Sequence, residues 1–271
     1  MKRFISFFLV VVFLFSFALS ASASTVGTLS KLNVDEDDFA NYVHKINEES
    51  DDGDYVFVFY DSILSMTLSL GAGDIDEMGL PEIVAQYVLS SRPDFKILKT
   101  INLKYKQYLA FGFMEKNEEL CKKFNDALKD IKADGTLDKL KEHYLKTDGE
   151  TESIAFEKFA GAETIRVAIT GDLPPIDYVA SDGRAAGFNT ALLSEIAKKL
   201  KVNVRLVYTN TGARAASLFA GRSDVVFWYQ LSEDSQDKVD IPTGVIVSEP
   251  YYDWDKYVRI VRKNEKAFND D

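Results

Sequence analysis

From Thr25 onward, short runs rich in Val, Ile, Tyr and Phe alternate with stretches of helical periodicity, and at Ile165 the alternation starts afresh. In the first half, residues 26–29 and 55–60 read as strands flanking a helix over 35–46. A helix over 63–70, a short apolar run at 75–80, a helix over 81–90 opened by Pro81 and a strand at 95–98 follow. In the second half the order is strand 165–169, helix 189–200, strand 202–208, helix 213–220 and strand 224–229. Strands that alternate with helices call for a mainly parallel sheet covered on both faces. The expected class is therefore α/β. Both halves share one local device, an apolar helix ended by Gly-x-x-Asp just before a strand, at Gly73 to Asp76 and again at Gly221 to Asp224. Glycine suits the left-handed conformation that stops a helix. Its presence once per half points to two units of similar build.

The first residues carry a second constraint. Lys2 and Arg3 precede an apolar run over 4–19, and Ala21, Ser22 and Ala23 form a small-residue cleavage site, so residues 1–23 read as an export signal. The competing reading is an uncleaved anchor, but sixteen apolar-rich residues fall short of the roughly 20 that cross a bilayer. No cysteine lies near the cleavage site to carry a lipid, and no later segment is long and apolar enough to span. The mature chain is thus expected to be periplasmic or secreted, with about 247 residues for one large domain or two ordinary ones. Losing Lys2 and Arg3 deepens the net charge of −11 by two, which disfavours a nucleic-acid partner because phosphate contacts need clustered Lys and Arg. Cys121 is the single cysteine, so no intramolecular disulfide is possible. It shares a helical face with Leu120, Phe124, Leu128 and Ile131, where a thiol behaves as a small hydrophobe.

The motifs are more specific. One set comprises residues 165–169, then Gly171 to Pro175, Tyr178, Asp182, Gly183, Gly187, Phe188, the helix into Lys199 and Leu200, Val239 to Ile241, and Ser248 to Tyr252. A second set comprises Tyr60 to Ser62, Gly73 to Asp76, Glu82, Tyr87, Pro93, Asp94 and the run Lys132 to Lys139. Together they resemble family 3 extracellular solute-binding proteins, which have the type II periplasmic binding fold and serve ABC importers of amino acids and similar solutes. In that family the first set opens the mature chain and the second closes it. Here the order is reversed. The resemblance therefore implies a two-lobe type II periplasmic binding protein-like fold, circularly permuted, with mainly parallel sheets flanked by helices. Residues 24–103, completed by 257–271, would form lobe two. Residues 104–147 would supply a hinge strand and helices packing on lobe one, 148–162 a linker, and 163–256 lobe one. The strand at 257–262 would cross from lobe one and pair in lobe two, leaving the new termini just beyond a hinge crossing. A fragment of a tandem array is the rival reading.

The resemblance further implies an exported binding protein, probed by one small polar solute held between lobes and delivered to an ABC transporter permease. It would be a monomer, without cofactor or metal, and not an enzyme. The alternative is a sensing or interaction module of the same fold that no longer binds free amino acids. The departures matter here. The Arg that grips an amino acid's carboxylate in the family falls on Ser235 or Gln236, the Asp that holds the amino group falls on Pro81, and the aromatic clamp falls on Leu173, Ile176 and Thr211.

Replacement candidates are Asp172, Leu173, Thr211, Arg214, Trp228, Tyr229, Gln230 and Ser232 in lobe one, and Thr28, Ser30, Asn33, Tyr60 and Glu82 in lobe two. Trp228 and Tyr229 read either as a stacking wall or as packing, with Gln230 and Ser232 as donors in the first case. Arg214 reads either as a substitute anchor or as a solvated surface residue. Asp172, Asp177 and Glu82 either face a cationic group or cap and decorate the surface. His44 and His143 sit on polar stretches far apart, which argues against a metal site. No G-x-S-x-G elbow, Walker loop or H-E-x-x-H occurs.

Overall fold

The computed structural model describes residues 23–29, 55–146, 149–210, 213–230 and 241–264; for Lys104, Tyr105 and residues 228–230 it describes the backbone alone. The segments expected to form the export signal and the helix over 35–46 lie outside the described residues.

The strands are β1 Ser24–Leu29, β2 Tyr55–Tyr60, β3 Glu77–Pro81, β4 Phe95–Met114, β5 Thr164–Ile169, β6 Asp172–Leu173, β7 Asp177–Val179, β8 Ala185–Ala186, β9 Asn203–Tyr208, β10 Val225–Gln230, β11 Val245–Val247 and β12 Tyr252–Arg262. The helices are α1 Ile63–Ala72, α2 Glu82–Ser91, α3 Glu118–Ala133, α4 Thr136–Leu145, α5 Phe188–Leu200 and α6 Arg214–Phe219. Among the described residues, one mixed sheet runs in the order β2-β1-β3-β12-β4-β10-β5-β9, with β11 beside β4, and β6, β7 and β8 form a small separate sheet.

That order is symmetric about the β12–β4 pair. On one side β1 lies between β2 and β3, all parallel. On the other β5 lies between β9 and β10, again all parallel. We refer to these as wing two and wing one. Within this large sheet, antiparallel pairing is confined to the strands that join the wings, β12 with β3 and β4, and β4 with β10 and β11; the small sheet of β6, β7 and β8 is antiparallel too.

The repeated Gly-x-x-Asp has a defined purpose. Gly73 and Gly221 both take positive φ, 86° and 64°, and turn the chain out of α1 and α6. In wing two, Asp76 Oδ2 accepts from the Thr25 amide at 2.8 Å while its own amide donates to Thr25 O at 2.9 Å. In wing one, Asp224 Oδ2 accepts from the Arg166 amide at 2.9 Å while its own amide donates to Arg166 O at 2.8 Å. Each Asp therefore ties the start of its wing's central strand to the strand that follows the turn.

Two elements are longer than their sequence signal. β4 spans 20 residues, joining the strand read at 95–98 to the hinge strand expected from 104, and β12 spans 11 where 257–262 reads as a strand. Ile101, Leu103 and Tyr105 alternate with Asn102, Lys104 and Lys106, and Tyr252 and Trp254 with Asp253 and Asp255, and cross-strand bonding runs through both stretches with two register shifts. Residues 257–260 pair with β3, Tyr257 opposite Pro81 and Ile260 opposite Met78, and Val261 and Arg262 continue along β4.

Helices α3 and α4 pack on α5 of wing one. Cys121, Phe124, Leu128 and Ile131 form the buried face of α3, and burial pushes the Cys121 thiol up to about 11. Phe111 of β4 centres the core, with Phe124 at 5.3 Å, Phe227 at 5.7 Å and Tyr251 at 4.7 Å between ring centroids. Residues 149–162 are extended and bonded along wing one. Ser153 bridges to Ala186, the Ile154 amide donates to Ala185 O, and Asn203 Oδ1 accepts from the Phe159 amide.

Candidate functional site

Strand register fixes where the two wings point. Along β4, Phe113 pairs with Val225 and Tyr108 with Gln230, so β10 runs with its carboxyl end toward the middle of β4. From the other side, Ile260 pairs with Met78 and Tyr257 with Pro81, while Tyr257 also pairs with Ile101. β3 therefore also aims its carboxyl end at the middle of β4. Both parallel wings present their carboxyl ends to one gap, and open α/β sheets bind ligands at that end of their strands. Contacts across the gap include α1 against β6, and the rings of Tyr87 on α2 and Tyr178 on β7, which lie 5.9 Å apart.

In wing one, β5 ends at Ile169 and the chain turns through Thr170 and Gly171 into β6, bringing Asp172 and Leu173 to the gap half-buried. Burial holds the Asp172 carboxyl above its ordinary range; the Thr170 hydroxyl, whose single proton is shared with Asp177, and the charge of Arg214 act against that, and Asp61 in wing two adds to it. Arg214 opens α6 and is only 7% exposed, which excludes the solvated reading. Its Nη1 donates to Phe227 O at 2.8 Å, so the guanidinium lies against the strand that carries Trp228, Tyr229 and Gln230. Those three pair through their backbones with Ala110, Leu109 and Tyr108, but their side chains lie outside the description. Thr211 and Ser232 lie outside the described residues, as do Ser30 and Asn33 in wing two.

In wing two, Thr28 and Tyr60 sit at the ends of β1 and β2. Thr28 Oγ1 lies 3.1 Å from the Tyr257 hydroxyl, which donates to Gly79 O at 2.9 Å. Glu82 begins α2, and its carboxylate faces Lys256 Nζ at 3.6 Å. Asp172, Leu173 and Arg214 are thus gathered on one side of the gap, with Thr28, Tyr60 and Glu82 on the other.

Beneath the wing-one side lies a buried polar group that the sequence did not single out as a set. Asp177 is 3% exposed, Asn189 3% and Tyr251 2%. Asp177 Oδ2 accepts from the Thr170 amide at 3.0 Å and from Thr170 Oγ1 at 3.2 Å. Its Oδ1, Asn189 Oδ1 and the Tyr251 hydroxyl make no hydrogen bond of good geometry. Tyr251 nevertheless interacts with both neighbours, electrostatically with Asp177 and through its hydroxyl with the Asn189 side chain. The loop between β6 and β7 is bonded to the first turn of α5, Pro175 O accepting from the Phe188 amide and Ile176 O from the Asn189 amide. Tyr251 and Asn189 escape a sequence reading because Tyr251 belongs to the Ser248 to Tyr252 motif and Asn189 opens an amphipathic helix, and both contexts suggest packing or capping.

His143 is paired with Glu152 at 2.9 Å on an exposed surface away from the gap. Among the described residues no three His, Cys, Asp or Glu side chains are placed to hold a metal, and no helix is long and apolar enough to cross a membrane.

The chain has similarities to known proteins. The L-cystine-binding protein TcyJ of Escherichia coli K12 is 31% identical over 86 residues, which is 31% of this chain and 32% of that protein. The match thus spans about a third of the length of the curated relative. Among solved structures, a putative L-cystine ABC transporter from Listeria monocytogenes superposes with a TM-score of 0.44 at 15% identity, covering 90% of this chain and 84% of that one. A ligand-binding component of an ABC-type import system from Staphylococcus aureus, with zinc bound, gives 0.45 at 12%, covering 89% and 66%. Residues 165–269, which run from β5 through β12, match the sequence model of the bacterial extracellular solute-binding proteins, family 3.

Proposed function

We propose that this chain is an exported solute-binding protein that captures a small polar solute in the gap between its wings for ABC-type uptake. The observation that carries the reading is the facing of two parallel wings whose strand ends meet at the middle of β4 and β12. Two antiparallel strands are a natural hinge, because wings joined by them can close on a solute while the ladder stays intact. Asp172 and Arg214 would fix polar groups of the solute from wing one, with Thr28, Tyr60 and Glu82 opposite. Trp228, Tyr229, Gln230, Thr211, Ser232, Ser30 and Asn33 complete the proposed lining. The permeation step belongs to a separate permease.

A permuted order accompanies this reading. In its support, the family-like segment 165–269 includes β12, which pairs with β3 of the preceding half, and the family-like run Lys132 to Lys139 packs on α5 rather than on wing two.

A thermal-shift screen of polar solutes tests the function, since a solute at 100 times its dissociation constant stabilises by about 2.7 kcal/mol. Cystine is included in that screen because a relative is named for binding it. Free α-amino acids, cystine with its two α-amino acid ends among them, are expected to bind weakly or not at all. The family's two charged anchors fall on Ser235 or Gln236 and on Pro81, and truncating one partner of a buried charged pair typically costs about 2–5 kcal/mol. Micromolar affinity for any of them in calorimetry would mean that the anchors have been misplaced. No stabilisation by any solute would favour the sensing or interaction module.

A further inference from the structure

Residues 170–173 bring Asp172 to the gap, and that short loop is held from below by one side chain. Asp177 Oδ2 takes both the backbone amide and the hydroxyl of Thr170, and the Gly171 amide also acts on the same carboxyl. The second oxygen, Oδ1, has no partner although it is buried. A carboxylate with one buried oxygen unsatisfied is in tension: its loop bonds favour the ion, while its burial favours the acid.

We propose that Asp177 is a positioning residue that grips the loop 170–173 from beneath the gap, tightly as the carboxylate and loosely as the acid, so that the placement of Asp172 varies with pH. The inference rests on the gap being a solute site, and it adds a control of that site. Hydrogen bonds to an ionised acceptor are shorter and roughly twice as strong as neutral ones. Proton uptake at Oδ1 removes the buried charge and leaves Thr170 bonded to a weaker acceptor. Among the described residues, the titratable groups that act on Asp177 are Asp172 on β6, Tyr208 at the end of β9 and Tyr251 before β12. Asp172 opposes ionisation. Both tyrosines are held above their usual range, mainly by burial, and stay neutral through the range in question. Arg214 acts on Tyr251 and Asp172 from α6. Burial sets the balance, pushing the Asp177 carboxyl up to about 6.

The test is a pH titration of the full exported chain by NMR, without solute. The Asp177 carboxyl carbon and the Thr170 and Gly171 amides are expected to shift together, with one midpoint near pH 6. In Asp177→Asn, which keeps an oxygen for Thr170 but cannot ionise, both amides are expected to stay flat between pH 4.5 and 7.5. Amides that titrate equally in Asp177→Asn would overturn the proposal, as would a carboxyl midpoint near 4. If that variant does not fold, the unaltered protein decides: agreement between the carboxyl and amide midpoints supports the grip, and disagreement rejects it. Because no solute is used, a failed titration and a failed solute screen are separate results.

Discussion

Asp177 shows how a single residue's charge state reaches the stability of the whole chain. Its carboxyl is raised from 3.8 to about 6 by burial, so the folded state holds the proton more firmly than the unfolded state. Stability contributed by the protonated form is complete below pH 4 and is lost as pH rises through 6, at roughly 1.4 kcal/mol per pH unit of difference. Asp177→Asn is therefore expected to gain stability relative to the unaltered protein by about 1–3 kcal/mol more at pH 7.5 than at pH 4.5, measured by urea denaturation. A difference independent of pH would show that the carboxyl is not titrating in this range. Charge also explains which single residues the sequence concealed. Cys121 was legible as buried because its apolar neighbours recur every three or four residues. Arg214 and Asp177 were not, because a charged side chain reads as solvated until its partners, Phe227 O and the Thr170 amide, are known to lie beside it.

At the scale of elements, the two Gly-x-x-Asp turns make equivalent bonds but sit in different surroundings. Asp224 also pairs with the guanidinium of Arg166 and is partly buried, whereas the bond from Asp76 to Thr25 is exposed. Asp224→Ala should therefore destabilise by about 1–3 kcal/mol and Asp76→Ala by about 1 kcal/mol or less. Equal losses in chemical denaturation would mean that the Arg166 pair contributes nothing. The recurrence of this turn was readable in the sequence, and it correctly signalled two wings of one design. The full lengths of β4 and β12 were readable only in part. A strand that joins wings is most apolar where it crosses a core, as at Phe111 and Phe113 or Val258 and Ile260. The middle section of β4 does keep a period of two, Ile101, Leu103 and Tyr105 alternating with Asn102, Lys104 and Lys106, which is the signal of a continuous strand.

For the whole molecule, the symmetric order of strands around the β12–β4 pair makes two inward-facing sets of strand ends unavoidable. That follows from register and does not depend on which solute is bound. That the strand ends of two βαβ units would face one gap was therefore legible in the sequence. The buried polar group beneath it was not, since Asp177, Asn189 and Tyr251 come together from separate segments of wing one. The same architecture makes closure the central claim, and a pair of spin labels can measure it. Leu68 on α1 and Val179 on β7 are exposed and stand on opposite wings. Cys121, the only native cysteine, is buried with its thiol raised to about 11, so labelling of Leu68→Cys/Val179→Cys should be selective. The direct measurement is the distance distribution between those labels with and without a solute that stabilises the protein. Saturating solute is expected to shift the distribution to shorter distances. A solute that stabilises the chain yet leaves the distribution unchanged would contradict capture by closure of the wings.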